Sequence, residues 1–183
     1  MKLSKVLSVM LAKGMKEDQN NGQAAKPGDE RQAEWRSTPI EIQALRLSSD
    51  GSGVGRDETG MTTFVPGLLP GETGLVTIAE RKKRWQRGEL KKILKSCPER
   101  VTPPCPVFAS CGGCQLQHLA YQETLKWKRI WVEDALQRIG KLNLDEITVH
   151  PTIGMDVPWR YRNKARLHMD AQGRLGYYRE KTN

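Results

Sequence analysis

The sequence predicts a mainly β fold in two parts: a small closed barrel, then an α+β segment that carries a cysteine-rich loop. Short alternating stretches separated by Gly and Pro turns fill residues 40–94, and this spacing is typical of small barrels. One amphipathic helix and a further alternating stretch follow the barrel. Three of the four cysteines fall within residues 105–114, which marks that loop as a candidate metal site.

The composition favours a nucleic-acid partner and no membrane span. At 183 residues the chain can hold one ordinary domain or two small ones, and its 37% hydrophobic content supports compact cores. No apolar run approaches the ~20 residues that cross a bilayer. Lys and Arg number 30 against 21 Asp and Glu, which gives a net charge of +9. That excess favours a polyanion, and we expect the partner to be RNA.

The first 39 residues predict a disordered N-terminal extension. Residues 1–16 have one apolar helical face, but Lys5 and Lys13 leave less than the unbroken core of ~7–15 apolar residues that a signal peptide needs. Residues 16–39 are dominated by polar residues that bury too little surface to offset the entropy of ordering. We therefore expect a cytoplasmic protein, and in a reducing compartment clustered cysteines favour metal binding over disulfides.

Alternation predicts barrel strands over residues 40–47, 61–65, 73–79 and 87–94. We expect the glycine-rich residues 50–55 to form a turn. A phosphate-binding loop is the other interpretation of these glycines. However, Arg56 stands where G-x-G-x-x-G requires its third glycine, and a strand rather than a helix is predicted to follow.

The densest basic run of the chain lies between the third and fourth predicted strands and contains an aromatic residue. Its cations are suited to contact phosphates, and its indole offers a stacking face for a base. A solvated hairpin loop with a half-buried tryptophan is the alternative. We favour RNA contact, and the candidate residues are Arg81, Lys82, Lys83, Arg84, Trp85 and Arg87.

A helix is predicted over residues 119–140, with two apolar ridges. Core packing accounts for the first ridge, which consists of Tyr121, Leu125, Val132, Leu136 and Ile139. The second ridge, Trp127 and Trp131, is expected to pack against a partner outside this chain.

A second basic surface is predicted on a strand over residues 159–170. Alternation places Tyr161, Ala165, Leu167 and Met169 on one face of that strand. We expect a turn at residues 170–173 and a returning strand over residues 175–178, which together form a basic β-hairpin. The opposite face favours RNA as its partner because it aligns four cations, Arg160, Arg162, Lys164 and Arg166.

The cysteine loop has the spacing C-x5-C-G-G-C, formed by Cys105, Cys111 and Cys114. Three thiolates this close, with glycines that allow positive φ inside the C-x2-C turn, favour a soft metal centre. Ordinary buried thiols or a disulfide are the alternatives. His118 follows at C-x3-H and invites a zinc interpretation, but a single histidine beside such a loop is more often a residue at a helix start.

The residues around this loop resemble the iron–sulfur segment of the RNA uracil-5-methyltransferases. The similarity runs through residues 96–105, the CGGC turn and residues 115–119, and continues at residues 64–72 upstream and 161–164 downstream. Taken together it covers about residues 40–183. Its order and spacing are those of the bacterial 23S rRNA enzymes, which carry an N-terminal TRAM domain.

The resemblance implies a domain plan and a set of ligands. Residues 40–96 would be the TRAM domain, an OB-like RNA-binding barrel, and residues 97–183 part of a central α+β domain. Cys105, Cys111 and Cys114 would ligate a 4Fe-4S cluster whose fourth cysteine ligand is not in this chain. In the family, S-adenosylmethionine and the catalytic groups belong to a C-terminal Rossmann-like domain.

We expect that catalytic domain to be absent here, so no catalytic residue is assigned. The 183-residue chain alone is expected to be inactive, although the family is one of RNA (uracil-5-)-methyltransferases that process rRNA. The partner implied is 23S rRNA. The alternative is a stand-alone RNA-binding module with a structural zinc held by Cys97, Cys105, Cys111 and Cys114.

Overall fold

The computed structural model describes residues 38–179, so the predictions made for residues 1–37 lie outside the described residues. Five strands come first: β1 (Ile40–Leu47), β2 (Ser52–Arg56), β3 (Thr62–Pro66), β4 (Thr73–Arg81) and β5 (Trp85–Lys95). They are followed by helix α1 (Tyr121–Arg138), a 3-10 turn (Leu144–Glu146) and the short strands β6 (His168–Met169) and β7 (Leu175–Gly176). In this described part, no helix is long and apolar enough to span a bilayer.

The first five strands close into a barrel in the order β1-β2-β3-β5-β4, and β4 pairs with β1. All neighbours are antiparallel except β3 and β5, which are parallel. Alternate side chains of each strand point inward. Ile42, Ala44, Val65, Val76 and Ile78 from the strands form the core together with Leu68 from the β3–β4 connection. The predicted mainly β barrel is confirmed.

Strand β2 corrects the sequence prediction, which assigned residues 50–55 to a turn. The turn is shorter and ends at Gly51, whose φ is +84°. A Cβ on Gly53 would lie 2.4 Å from the carbonyl oxygen of Leu68, and one on Gly55 would lie 2.2 Å from that of Gln43. These glycines are therefore needed by the close packing of the barrel wall rather than by a turn.

A second apolar cluster joins the barrel to the segment that follows it. Leu47, Leu69, Cys97 and Leu119 are its buried members. Trp127 and Trp131 of α1 pack against this cluster, and the indole Nε1 of Trp131 donates a hydrogen bond of 2.8 Å to the carbonyl oxygen of Leu47.

The ridge of helix α1 that packs against the apolar cluster is therefore the tryptophan ridge, and not the five-residue ridge that the sequence predicted. Val132 is 51% exposed and Ile139 is 83% exposed, whereas the other three members of the five-residue ridge are half-buried, so this ridge is only partly covered. The tryptophan ridge has its partner within this chain. Two indoles bury more apolar area than a valine and an isoleucine do, and Trp131 also gains a hydrogen bond. The helix is also shorter than predicted, since Leu119 precedes it as a member of the apolar cluster.

A buried ion pair ties the arm before the cysteine loop to the barrel. The carboxylate of Glu72 is fully buried and accepts hydrogen bonds from Arg100 Nε at 2.6 Å and from a terminal guanidinium nitrogen of Arg100 at 2.8 Å. The backbone N–H groups of Leu69 and Cys97 also donate to it. Burial opposes ionisation, but these hydrogen bonds and the Arg100 charge hold the pKa of Glu72 below its ordinary value.

The predicted long strand over residues 159–170 is wrong. Only His168 and Met169 form strand β6, which pairs with β7, and every residue from 160 to 170 is exposed. Alternation alone does not make a strand, because a ladder also needs a neighbouring backbone, and in the described part this ladder is two residues long. The turn at residues 170–173 is confirmed by the hydrogen bond from the Gly173 N–H to the Asp170 carbonyl, 3.0 Å, with φ of +78° at Gly173.

Candidate RNA interface and cysteine loop

The tip of the β4–β5 hairpin presents four exposed cations, Arg81, Lys82, Lys83 and Arg84. A hydrogen bond of 2.9 Å from the backbone N–H of Lys82 to the carbonyl oxygen of Trp85 closes the turn. The Lys82 ammonium lies 2.9 Å from Glu80, an exposed pair that water screens strongly. The structure therefore projects these side chains into solvent at one end of the barrel.

Trp85 begins strand β5 with a half-buried ring. Its ring meets Phe64 edge to face, with centroids 6.0 Å apart and an interplanar angle of 89°. This contact fixes the indole beside the exposed cations. Rigid aromatic faces of this kind stack on unpaired bases.

Arg87 lies two residues further along β5, on the same side of the strand as Trp85. It is half-buried, and its guanidinium lies 3.3 Å from the carboxylate of Asp50. Burial opposes ionisation of Asp50, but hydrogen bonds from Ser52 and Ser48 and the charge of Arg87 hold the pKa of Asp50 below its ordinary value. Arg87 is therefore an anchored cation, unlike those of the hairpin tip.

The second predicted basic surface has a different form from the one expected. Arg160, Arg162, Lys164 and Arg166 are all exposed, but they lie in an irregular segment before β6 and not along one face of a strand. The Arg162 guanidinium carbon lies 5.9 Å from the ring centroid of Tyr161. Arg160 has a φ of 58°, which breaks the extended backbone at its first cation.

The cysteine loop is a succession of tight turns. The N–H of Phe108 donates to the carbonyl of Cys105 at 3.1 Å, and that of Cys111 donates to the carbonyl of Val107 at 2.9 Å. Cys105 and Cys111 are half-buried and Cys114 is exposed, and all three are free thiols. The N–H of Gly113 approaches Cys111 Sγ at 3.4 Å, an interaction that stabilises negative charge on sulfur.

The last residues of the described chain hold this loop in place. The N–H of Gly112 donates to the carbonyl of Tyr178 at 3.0 Å. Neither glycine of the CGGC turn has the positive φ expected from the sequence. Gly113 is instead needed for close approach, since a Cβ there would lie 3.2 Å from the ring of Tyr177.

The donor chemistry of the loop fits a soft metal, because three thiols lie within ten residues. Across residues 38–179, however, the structure gathers no group of three or more Cys, His, Asp or Glu side chains into a metal-binding cluster. Cys97 lies apart from this chemistry. It is 8% exposed and packs with Leu47 and Leu69, and burial raises the pKa of its thiol. A four-cysteine zinc site would need Cys97 to leave that apolar cluster.

A cavity of about 570 Å³ lies between the barrel and the cysteine loop. His118 lines it and is 4% exposed, with its ring centroid 5.4 Å from that of Phe108. Burial, reinforced by Arg100 and opposed by Glu72, lowers the pKa of His118 to about 4, so the imidazole is neutral at pH 7. The sequence pattern suggested that His118 is a residue at a helix start, with zinc ligation as the alternative. It gave no sign of the cavity, because burial of a lone histidine depends on contacts that no local pattern records.

Comparison with known proteins shows which domain family the barrel belongs to. Residues 38–91 match the TRAM domain model. An uncharacterized RNA methyltransferase of Halalkalibacterium halodurans is 48% identical over 134 residues, covering 73% of this chain and 28% of that protein. This chain therefore contains a TRAM domain and is similar to proteins named as RNA methyltransferases. A second such protein of that organism is 42% identical over 146 residues, and one of Enterococcus faecalis is 40% identical over 142 residues.

The chain spans about 30% of the length of these relatives, since the matches to them cover 28–31% of each. Among solved structures, the Pyrococcus abyssi tRNA (uracil-54, C5)-methyltransferase in complex with S-adenosyl-L-homocysteine is 30% identical. That match covers 56% of this chain and 22% of the other, with a TM-score of 0.34. In this chain the TRAM match ends at residue 91 and includes the whole basic hairpin, whereas strand β5 continues to Lys95.

Proposed function

We propose that this chain is the RNA-binding and cluster-binding portion of an S-adenosylmethionine-dependent rRNA uracil-C5 methyltransferase. The RNA-binding part of this proposal rests on the hairpin tip of the TRAM domain. It holds four exposed cations beside the fixed ring of Trp85. Cations that reach phosphates next to an aromatic stacking face are the means by which proteins bind single-stranded nucleic acid.

The charge of the chain supports this assignment. The net charge of +9 gives the molecule a positive field that draws a polyanion toward it. Arg160, Arg162, Lys164 and Arg166 extend the proposed interface as adaptable contacts to phosphate, because their exposed side chains are not held along a rigid strand. The partner we propose is 23S rRNA, bound in the cytoplasm at an unpaired segment.

We propose that Cys105, Cys111 and Cys114 hold a 4Fe-4S cluster, with a fourth ligand from outside this chain. Three clustered thiols and the N–H of Gly113 directed at Cys111 Sγ support this. Such a cluster would cross-link the loop and keep it folded against the TRAM domain. Cys97 is assigned to the apolar core and not to the ligand set.

Methyl transfer is proposed for the whole enzyme, and no catalytic residue is assigned within this chain. Attack on C6 of uracil, which activates C5, needs an accessible thiolate. Three of the four cysteines are the proposed cluster ligands, and the fourth, Cys97, is buried with a raised pKa. The part of the enzyme described here therefore binds and positions RNA.

RNA binding is tested by fluorescence anisotropy with a labelled single-stranded RNA at low salt. Replacing Arg81, Lys82, Lys83 and Arg84 together by Ala should weaken binding at least tenfold. The matched control removes the same charge from the exposed cations of α1 and its C-terminal end, Lys126, Lys128, Arg138 and Lys141. Equal weakening by both variants would show that net charge, and not the hairpin, carries the affinity.

The cluster is tested separately by iron and sulfide analysis of anaerobically reconstituted protein. Cys105→Ser, Cys111→Ser and Cys114→Ser should each lower the iron content, whereas Cys97→Ser should leave it unchanged. A zinc site would instead give a colourless protein. Loss of iron in Cys97→Ser together with its retention in Cys105→Ser would reject this ligand set.

A further inference from the structure

Gln86 is a fully buried amide at the base of the proposed RNA-binding hairpin. It stands between Trp85 and Arg87 in strand β5, and alternation points it into the barrel while its two neighbours point outward. Its Nε2 donates hydrogen bonds to the carboxylate of Asp57 at 2.8 Å and to the hydroxyl oxygen of Thr63 at 3.0 Å. One side chain therefore connects the start of β5 both to strand β3 and to the β2–β3 connection.

The carboxylate of Asp57 is itself fixed by its own loop. Its Oδ1 accepts hydrogen bonds from the N–H of Thr59 at 3.0 Å, the hydroxyl of Thr59 at 2.6 Å and the N–H of Met61 at 2.9 Å. Burial opposes ionisation, but these hydrogen bonds and that of Gln86 hold the pKa of Asp57 below its ordinary value. Hydrogen bonds to an ionised group are stronger than those between neutral groups, so Asp57 is a firm anchor for the amide of Gln86.

The other end of the Gln86 amide has a cost. An ionised carboxylate only accepts hydrogen bonds, so Nε2 must face Asp57, and Oε1 is left buried with no partner within residues 38–179. A buried acceptor without a partner destabilises the folded state. A methionine would fill this position without that penalty, and the hydroxyl of Thr63 would still donate to the carbonyl of Met61 at 3.3 Å. Stability alone therefore does not explain a glutamine here.

The hydrogen bonds of Gln86 span the β3–β5 junction, which is the parallel pair of the barrel. This junction consists of three residue pairs, and Gln86 stands opposite Thr63 in the middle pair. Parallel pairing is slightly less stable per residue than antiparallel pairing. The edge-to-face contact of Phe64 with Trp85, at 6.0 Å between ring centroids, crosses the same junction. The position of the indole therefore depends on how firmly the junction is held.

We propose that Gln86, anchored by Asp57, is a positioning residue of the RNA interface: it fixes the β3–β5 junction so that the indole of Trp85 stays aligned to stack on a base. The inference rests on the RNA-binding function proposed above. Gln86 is fully buried and does not touch the RNA itself. It acts through Trp85, because a hydrogen-bonded polar network in a core rigidifies the backbone on either side of it.

The first test measures thermal unfolding and the affinity for a labelled single-stranded RNA in the same variant. Gln86→Met should melt at or above the wild-type temperature, because it removes the buried acceptor that has no partner. It should nevertheless weaken RNA binding about fivefold, a part of what the loss of the stacked ring would cost. The control is Ile42→Val, in the core on strand β1, which pairs with β2 and β4 and not with β5. That variant should melt lower and bind RNA as wild type does.

A double-mutant cycle tests whether Gln86 acts through Trp85. Trp85→Ala should weaken RNA binding by itself, and adding Gln86→Met to it should cause no further loss. Asp57→Ala approaches the same hydrogen bond from its other side. It removes a negative charge, which by charge alone would strengthen binding to RNA, whereas loss of the anchor should weaken binding.

The outcomes separate this inference from the proposed function. Unchanged affinity in Gln86→Met, or a parallel fall of its melting temperature and its affinity, would overturn the positioning role. Equal losses of affinity from Gln86→Met in the presence and in the absence of Trp85 would show that it does not act through the indole. Each of these results leaves RNA binding by the hairpin intact if the fourfold alanine variant still binds more weakly than wild type. No RNA binding by the wild-type protein would reject both proposals.

Discussion

Replacing Glu72 by Gln tests the ion pair that joins the TRAM barrel to the cysteine-loop arm. The side chain of Glu72 is fully buried, while that of its partner Arg100 is 23% exposed. A glutamine keeps the shape of the side chain, but its amide NH₂ would face the guanidinium donors and the charge of Arg100 would lose its counterion. Removing one partner of a buried pair costs about 3–5 kcal/mol, and the partial exposure of Arg100 places this case near 3 kcal/mol.

The assay is chemical and thermal unfolding of wild type and Glu72→Gln. A loss of about 3 kcal/mol corresponds to a melting temperature lower by roughly 6–12 °C for a chain of this size. Glu123→Gln is the control, since Glu123 pairs with the exposed Lys126 at the surface of α1. Exposed pairs contribute about 0–1 kcal/mol, so this variant should melt within about 3 °C of wild type.

The pH dependence gives a second signature of the same pair. The pKa of Glu72 is lowered in the folded protein, so the unfolded state binds more protons as the pH falls below the ordinary value of 4.5. The stability contributed by Glu72 is therefore present above pH 4.5 and is lost as pH falls through the lower folded value. Glu72→Gln should lack this component. A variant as stable as Glu123→Gln, with the acid sensitivity of wild type, would refute the reasoning.

Three further predictions concern the remaining interactions. In a urea titration, Trp131→Phe should lower the free energy of unfolding by about 1 kcal/mol, because the hydrogen bond to the Leu47 carbonyl is lost. The control Val132→Ala, at an exposed site, should change the free energy of unfolding by less than about 0.5 kcal/mol. Gly53→Ala should destabilise the barrel by about 3 kcal/mol or more, because its Cβ would lie 2.4 Å from a backbone oxygen. Gly60→Ala, with open space around it, should cost only about 1 kcal/mol for its positive φ, and equal melting temperatures of the two variants would contradict this. His118→Leu should stabilise the RNA-free protein by about 1 kcal/mol, because it removes a buried polar group without a hydrogen-bond partner. It should also flatten the dependence of stability on pH between pH 6.5 and about 4, where the unfolded wild-type protein protonates His118 and the folded protein does not. An unchanged pH dependence would show that His118 is not a neutral buried group.

Alternation predicted most of the barrel because its strands keep one face in the core and the other toward solvent. It missed β2, since Gly53 and Gly55 carry no side chain and therefore no hydrophobic signal. It predicted a strand over residues 159–170 because charged and apolar residues alternate there, but a strand needs a neighbouring backbone as well as a pattern. Local sequence does not record that neighbour.

In the candidate site, too, the sequence predicted local features but not the contacts between distant segments. The run of cations and the tryptophan beside it located the basic hairpin in the sequence, since the turn of a hairpin is a local feature. The helix presented two apolar ridges, and periodicity alone does not say which ridge meets the barrel. Trp131 decides this through a hydrogen bond to Leu47, 84 residues away in sequence. The cavity at His118 is likewise formed by segments distant in sequence, from strand β5 to the cysteine loop.

The salt dependence of RNA affinity tests the central proposal most directly. Removal of one phosphate contact should reduce the slope of log affinity against log salt by about 0.7 for a single strand. The fourfold alanine variant of Arg81, Lys82, Lys83 and Arg84 should therefore have a slope flatter than wild type by roughly two to three units. The control variant of the α1 cations should keep the wild-type slope. An unchanged slope in the hairpin variant would contradict the assignment of this TRAM hairpin as the surface that binds RNA.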